Sequence, residues 1–285
     1  MSIIKTVSLK DGTELPVLGQ GTWLLGDEPG RFNQEIDTLH RGIELGLSLI
    51  DTAEMYGDGR SEVLVGEAIR DCREQVFLVS KVLPNNAAGA PLADACERSL
   101  ERLKTNYLDL YLLHWRGGIP LQQTIEGMEQ LRRNGQIRRW GVSNFDTCDM
   151  DELLKCEGGE HCQVNQVLYH LASRGTEFDL QPFLARHQVT MMAHAPLAQA
   201  GRLCRELLGC HDLRQIADEH EADPFQIMLA WCIRQHHVMA IPKASTIAHV
   251  ESNARAAQIE LTEQDLQRLD LIFPEPDHKL PLDFI

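Results

Sequence analysis

Asp51, Tyr56, Lys81 and His114 are together the residue types of an acid catalyst. A free tyrosine is a poor acid near neutral pH, with an ordinary pKa of about 10. An ammonium beside the phenol stabilises phenolate, lowers that value and eases proton donation to a forming alkoxide. A carboxylate such as Asp51 would keep the ammonium charged, and an imidazole such as His114 can donate a hydrogen bond that orients a carbonyl. Each residue also has an ordinary structural account. An Asp after a strand caps a turn, a Tyr packs, a Lys closing a strand is solvated, and a His in Leu112-Leu113-His114-Trp115 sits satisfied in a core. Only convergence would make them one site.

Convergence demands a scaffold, and the chain supplies an alternation. Short apolar runs at 17–21, 48–51, 76–80, 110–113, 139–142, 163–166, 190–193 and 238–241 read as strands. Segments of helical period lie at 33–46, 61–71, 91–104, 121–134, 147–156, 179–187 and 224–235, with a last one at 263–270. Ile36, Leu39, Ile43 and Leu47 mark one buried helix face. Asp223 before Pro224 reads as an N-cap, and Thr262 with Asp265 as a capping box. Residues 3–15, with Asp11-Gly12 at the turn, read as a β-hairpin.

Eight such alternations in 285 residues predict an α/β fold, a (β/α)₈ TIM barrel whose bottom the N-terminal hairpin closes. The chain reads as one domain: hairpin 3–15, barrel 17–271, short tail 273–285. An open doubly wound sheet is disfavoured, because Gly19-Gln20-Gly21-Thr22-Trp23-Leu24 lacks the third glycine of a dinucleotide fingerprint. In a barrel, chemistry collects at the carboxyl ends of the strands. Those ends read Thr22-Trp23, Asp51, Lys81, His114, Ser143-Asn144, Gln166, His194 and Pro242-Lys243.

Composition narrows the function. With 43% hydrophobic residues, the chain can bury a large core unaided by metals or disulfides. A formal charge of −15 argues against a nucleic-acid partner or a polybasic membrane patch. No apolar run reaches the length of a membrane span, and the opening residues lack the features of a signal peptide. The eight cysteines are dispersed without a C-x-x-C pair, which predicts reduced thiols in a cytoplasmic, mainly monomeric protein that self-associates weakly at most. Cys156, His161 and Cys162, or Cys210 with His211, lack the paired spacing of structural zinc, so no metal is expected.

Several motifs then align with one family. The stretch Leu49-Ile50-Asp51-Thr52-Ala53-Glu54-Met55-Tyr56-Gly57 with Ser61-Glu62, the run from Tyr107 to Trp115, Gly141-Val142-Ser143-Asn144-Phe145, and Ile241-Pro242-Lys243 followed by Asn253 resemble the aldo/keto reductases. The likeness runs from about Leu15 to Leu271 in family order. It implies NADPH/NADP+ as cofactor and an aldehyde or ketone as substrate. Tyr56 would be the proton donor, tuned by Lys81 and Asp51, with His114 placing the carbonyl. Ser143, Asn144 and Gln166 would bind the nicotinamide carboxamide, with Thr22, Asp51 and His194 beside the cofactor. Pro196, Leu197, Gln199 and Gly201 would line the pyrophosphate. Lys243, Ser245 and Thr246 would meet the adenosine 2′-phosphate, with His249 near it, and Pro242 and Asn253 would also belong to the cofactor site. Trp23 and Trp115, with Tyr56 and His114, would wall the substrate pocket.

Two positions depart from the family. His194 stands where an aromatic residue, commonly Tyr, stacks on the nicotinamide, and His249 stands where many members carry Arg. Within the family the motifs look most like the methylglyoxal-reductase branch, which implies small aldehydes. Keto sugars of the 2,5-diketo-gluconate type are the alternative substrate. A nicotinamide-binding sensor with little turnover is the alternative role, and a carboxylate hydrolase built on Asp51 and Glu54 fits the motif order less well. The short tail implies an open pocket.

Overall fold

The computed structural model of the chain describes residues 5–199 and 202–284. The chain reverses at Asp11-Gly12, where the Asp11 Oδ1 accepts the Thr13 backbone N–H at 3.0 Å. β1 (Thr6–Ser8) thereby pairs antiparallel with β2 (Glu14–Pro16), Val7 facing Leu15. Val7, Leu9 and Leu15 are buried, so the hairpin has an apolar face to set against the barrel. Arg139 reaches Asp11 and Thr13, and Lys10 donates to the backbone carbonyls of Glu160 and His187. All these partners precede strands, so the hairpin covers the amino-terminal end of the barrel. Residues 3 and 4 of the expected hairpin lie outside the described residues.

Eight parallel strands follow in spatial order identical to chain order: β3 (Gln20–Gly21), β4 (Leu49–Asp51), β5 (Phe77–Val82), β6 (Leu110–Leu113), β7 (Trp140–Ser143), β8 (Val164–Leu168), β9 (Thr190–His194) and β10 (Val238–Ala240). The seam between first and last is closed by parallel bridges Leu18↔Ala240 and Gly21↔Lys243. Its hydrogen bonds run from Gly19 N–H to the Ala240 carbonyl at 2.8 Å and from Gly21 N–H to the Pro242 carbonyl at 3.1 Å. A Cβ on Gly21 would stand 2.6 Å from the Ile241 carbonyl oxygen, so only glycine lets the two strands approach here. Strand residues are buried on both faces, as expected of a parallel sheet wrapped by helices.

The anticipated helices appear as α1 (Phe32–Glu44), α2 (Arg60–Ala68), α3 (Gly89–Leu103), α4 (Leu121–Arg133), α5 (Thr147–Lys155), α6 (Leu180–Arg186), α9 (Pro224–Cys232) and α11 (Glu263–Ile272). The caps form at Asp223, reciprocated by Gln226, and at Thr262, reciprocated by Asp265. Three further helices escaped the sequence reading: α7 (Arg202–Gly209), α8 (His211–Glu219) and α10 (Ile247–Ala256). Periodicity in the first two is cut by Gly209-Cys210, and α10 overlaps the cofactor motif that drew the reading elsewhere. The tail does not hang free. Lys279 binds Asp146 and Asp179, and Ser173 binds Asp283, so residues 279–283 are strapped over the loops that follow β7 and β8.

Candidate active site

Strand pleat and register bring the four candidate groups together. Asp51 closes β4 opposite Val79 of β5. Side chains alternate along a strand, so Lys81 shares the face of Val79 and lies one step nearer the mouth. β5 extends to Val82, beyond the expected end, which places Lys81 inside the strand and fully buried. His114 follows β6 directly, its N–H donating to the Val82 carbonyl. Tyr56 opens a tight turn in which Gly57, Asp58 and Gly59 all take left-handed φ. Arg102 packs across Gly59 and donates to buried Glu62, holding that turn against α2.

The Lys81 ammonium uses all three hydrogens. It donates to Asp51 Oδ2 at 2.6 Å, to the Thr52 carbonyl at 2.9 Å and to Tyr56 Oη at 3.1 Å. The other Asp51 oxygen accepts Gln166 Nε2 at 2.8 Å. Burial pulls the Lys81 pKa down, but Asp51 and Tyr56 outweigh it and the net direction is up, so Lys81 stays cationic. Burial pushes the Asp51 carboxyl up, against the pull of Lys81 and Gln166. For Tyr56 the outcome corrects the expectation of a lowered pKa. Burial is the largest influence and raises it, Lys81 lowers it and Asp51 raises it further, leaving the phenol above its ordinary value. Burial, with Lys81 and His194 nearby, takes the His114 pKa to about 2, so this ring is neutral. His114 Nδ1 is buried without a hydrogen-bonding partner among the described residues, and the ring meets Tyr56 edge-on at 5.7 Å.

Beside this group lies a band of amides and hydroxyls. Ser143 Oγ donates to the Gln166 carbonyl at 2.9 Å, and Asn144 Nδ2 donates to the His114 carbonyl at 3.1 Å. Gln166 Nε2 is committed to Asp51 and Met192, which turns its Oε1 to other donors. His194, ending β9, lies 3.2 Å from Asn144 Oδ1. Thr22 is placed deeper, in a buried hydroxyl cluster with Ser61 and the Asp51 carbonyl.

Past β9 the chain turns through Ala195, Pro196, Leu197, Ala198 and Gln199, with left-handed φ at Ala195, Ala198 and Gln199. Such conformations cost about 1–3 kcal/mol each and cluster where backbone N–H groups cradle anions. Gly201 lies outside the described residues. Past β10, Pro242 is buried and Lys243 is exposed, without a hydrogen-bonding or ionic partner among the described residues. Thr246 caps α10 by accepting the His249 N–H, and Ser245 anchors Gln34 through its carbonyl. His249 is exposed and Asn253 is buried in α10. Lys243 and a helix amino terminus thus share one corner, favourable to a phosphate.

The rim is apolar. Trp23, Leu24 and Met55 are exposed, and the half-buried Trp115 ring lies 4.9 Å from that of His114. Sequence reasoning gave Met55 no role of its own, although it stands inside the motif that ends at Tyr56 and Gly57, and passed over Met192. It also passed over Asp146, although Asp146-x-x-Asp149 is a legible capping box.

The chain matches the aldo/keto reductase family over residues 17–273. It is 51% identical to methylglyoxal reductase YeaE of Escherichia coli (strain K12), covering 99% of each chain. It is 34% identical to glyoxal reductase of Bacillus subtilis (strain 168), over 98% of this chain and 99% of that one. Among solved structures, a Klebsiella pneumoniae aldo/keto reductase in complex with NADP and acetate superposes with a TM-score of 0.97 at 50% identity, covering 99% of this chain and all of the other. With a barrel of the same topology and the family matched almost end to end, this chain is an oxidoreductase that belongs to the aldo/keto reductase family.

Proposed function

We propose that this enzyme reduces methylglyoxal and other small aldehydes to alcohols, with NADP(H) as cofactor and Tyr56 as proton donor. The observation that carries the reading is the chain Asp51–Lys81–Tyr56, linked at 2.6 Å and 3.1 Å beside a neutral His114. Likeness to the two reductases of dicarbonyl substrates supports the substrate class. The residues fit the cofactor: unpartnered Lys243 at the α10 amino terminus for a phosphate, the left-handed turn for a pyrophosphate, and Ser143, Asn144 and Gln166 for a carboxamide. NADPH, when bound, supplies hydride to the carbonyl carbon.

The protein's own task is the proton. Lys81 donates to Tyr56 Oη, so the phenolic hydrogen is left free for the substrate oxygen. As that proton leaves, the phenolate remains beside an ammonium in a site screened from water, where the attraction is strong. The raised Tyr56 pKa keeps the donor protonated at neutral pH. His114, neutral, donates an N–H to the same oxygen and fixes its approach. Trp23, Trp115 and Met55 offer apolar surface to a small organic carbonyl. Arg116, after β6, is engaged by Glu152, and Lys279, in the tail, by Asp146 and Asp179, so both cations are already neutralised, which favours an uncharged substrate over an anionic keto-sugar acid.

The test follows absorbance at 340 nm with NADPH and methylglyoxal, a short aldehyde and a keto-sugar acid, in the parent and in Tyr56→Phe. The variant is expected to bind NADPH normally and to lose about 10²–10⁴ in turnover. Unchanged turnover removes Tyr56 from the role. Negligible parental turnover with intact NADPH binding favours a sensor instead.

A further inference from the structure

Three neighbours fix the polarity of the Asn144 side chain. Its Nδ2 donates to the His114 carbonyl at 3.1 Å and to Ser143 Oγ at 3.2 Å. A backbone carbonyl only accepts, so inverting the amide would set two acceptor oxygens against each other. Oδ1 therefore faces His194, whose Nε2 lies 3.2 Å away. An amide oxygen also only accepts, so Nε2 must carry the hydrogen. Burial, then the Lys81 charge and His170, depress the His194 pKa to about 3. The ring is thus neutral at working pH and has a single N–H, spent on Asn144. Asn144 itself takes a left-handed φ of 58°, a backbone form that needs holding in place.

We propose that His194 is a positioning residue, tying the Asn144 amide to the end of β9 in the one orientation that meets the nicotinamide carboxamide. The proposal rests on the NADP(H) reading above. A phenyl ring at this place would keep an apolar face and lose the donor, freeing Asn144 to rotate. The histidine thereby does by hydrogen bonding what stacking surface alone cannot.

Two measurements test it, neither relying on turnover. Long-range ¹H–¹⁵N spectra of the cofactor-free protein, with the His194 signals assigned by their loss in His194→Phe, should show the Nε2–H tautomer. An Nδ1–H tautomer overturns the proposal even if the variants fold poorly. NADPH titrations by tryptophan quenching in the parent, His194→Phe, Asn144→Ala and the double variant then read the coupling. His194→Phe should weaken NADPH binding about 3- to 10-fold on its own, the range of one hydrogen bond. In the Asn144→Ala background it should cost less than about twofold, since the residue it acts through is gone. Equal losses in both backgrounds, with unchanged urea midpoints, refute the positioning role alone. A parent that fails to bind NADPH refutes the functional reading itself, so the two failures are told apart.

Discussion

Replacing Asp51 by Asn separates the electrostatic part of the site from its shape. Lys81 is fully buried, and Asp51 supplies the only formal negative charge among its three acceptors, the others being a carbonyl and a phenol. The Asn side chain can still offer one oxygen to Lys81. Its Nδ2 then meets Gln166 Nε2, which now donates to Asp51 Oδ1, so two donors face each other unless Gln166 turns and gives up Met192. Removing one partner of a buried ion pair costs about 3–5 kcal/mol, and the expected loss at pH 7 lies in that range.

The pH dependence gives the sharper test. In the parent, the Lys81 pKa is raised above its unfolded value of about 10.4. Its contribution is complete below that pH and is lost as pH rises through the folded pKa. In Asp51→Asn the strongest raising influence is gone, and burial, the largest influence on the ammonium, is opposed only by Tyr56 and lowers the pKa, so as pH rises from 7 to 9 the unfolded chain binds more protons than the folded one. Stability of the variant relative to the parent must then rise with pH. The buried thiols Cys96, Cys162 and Cys232, all pushed up to about 12, make both proteins less stable in alkali, so they cancel in the difference. Urea midpoints at pH 7, 8 and 9 measure that difference, and kcat at each pH reports the acid. A midpoint gap that stays constant or widens with pH would show that Asp51 does not hold the Lys81 charge.

Three other outcomes follow from the same geometry. Because His114 is neutral down to about pH 2, kcat/KM for reduction should show no ionisation near pH 6.5 from this ring; a limb there that disappears in His114→Asn would contradict the neutral assignment. Lys243→Ala should raise KM for NADPH about tenfold, increasingly at low salt, while leaving NADH nearly unaffected; equal effects on both cofactors would move the phosphate elsewhere. Gly21→Ala puts a Cβ 2.6 Å from the Ile241 carbonyl at the seam and should destabilise the barrel by about 1–3 kcal/mol, and an unchanged thermal midpoint would mean the seam yields easily.

The sequence determined the alternation of strands and helices, because twofold and 3.6-fold periodicities are local properties of the chain. For the same reason the caps at Asp223 and Thr262 were legible, as was the hairpin turn at Asp11-Gly12. The residue types at the strand ends were legible too, since one side chain per strand is all that such a reading requires. Tertiary structure alone decided what those side chains do to one another. The Lys81 bonds to Asp51 and Tyr56 depend on register between neighbouring strands, and the Gly21–Pro242 closure joins opposite ends of the chain. The upward direction of the Tyr56 pKa is a matter of how much protein surrounds the phenol, which no spacing encodes. His194 illustrates the division most clearly: as a letter it is a departure from an aromatic, and only the 3.2 Å approach to Asn144 makes it a donor.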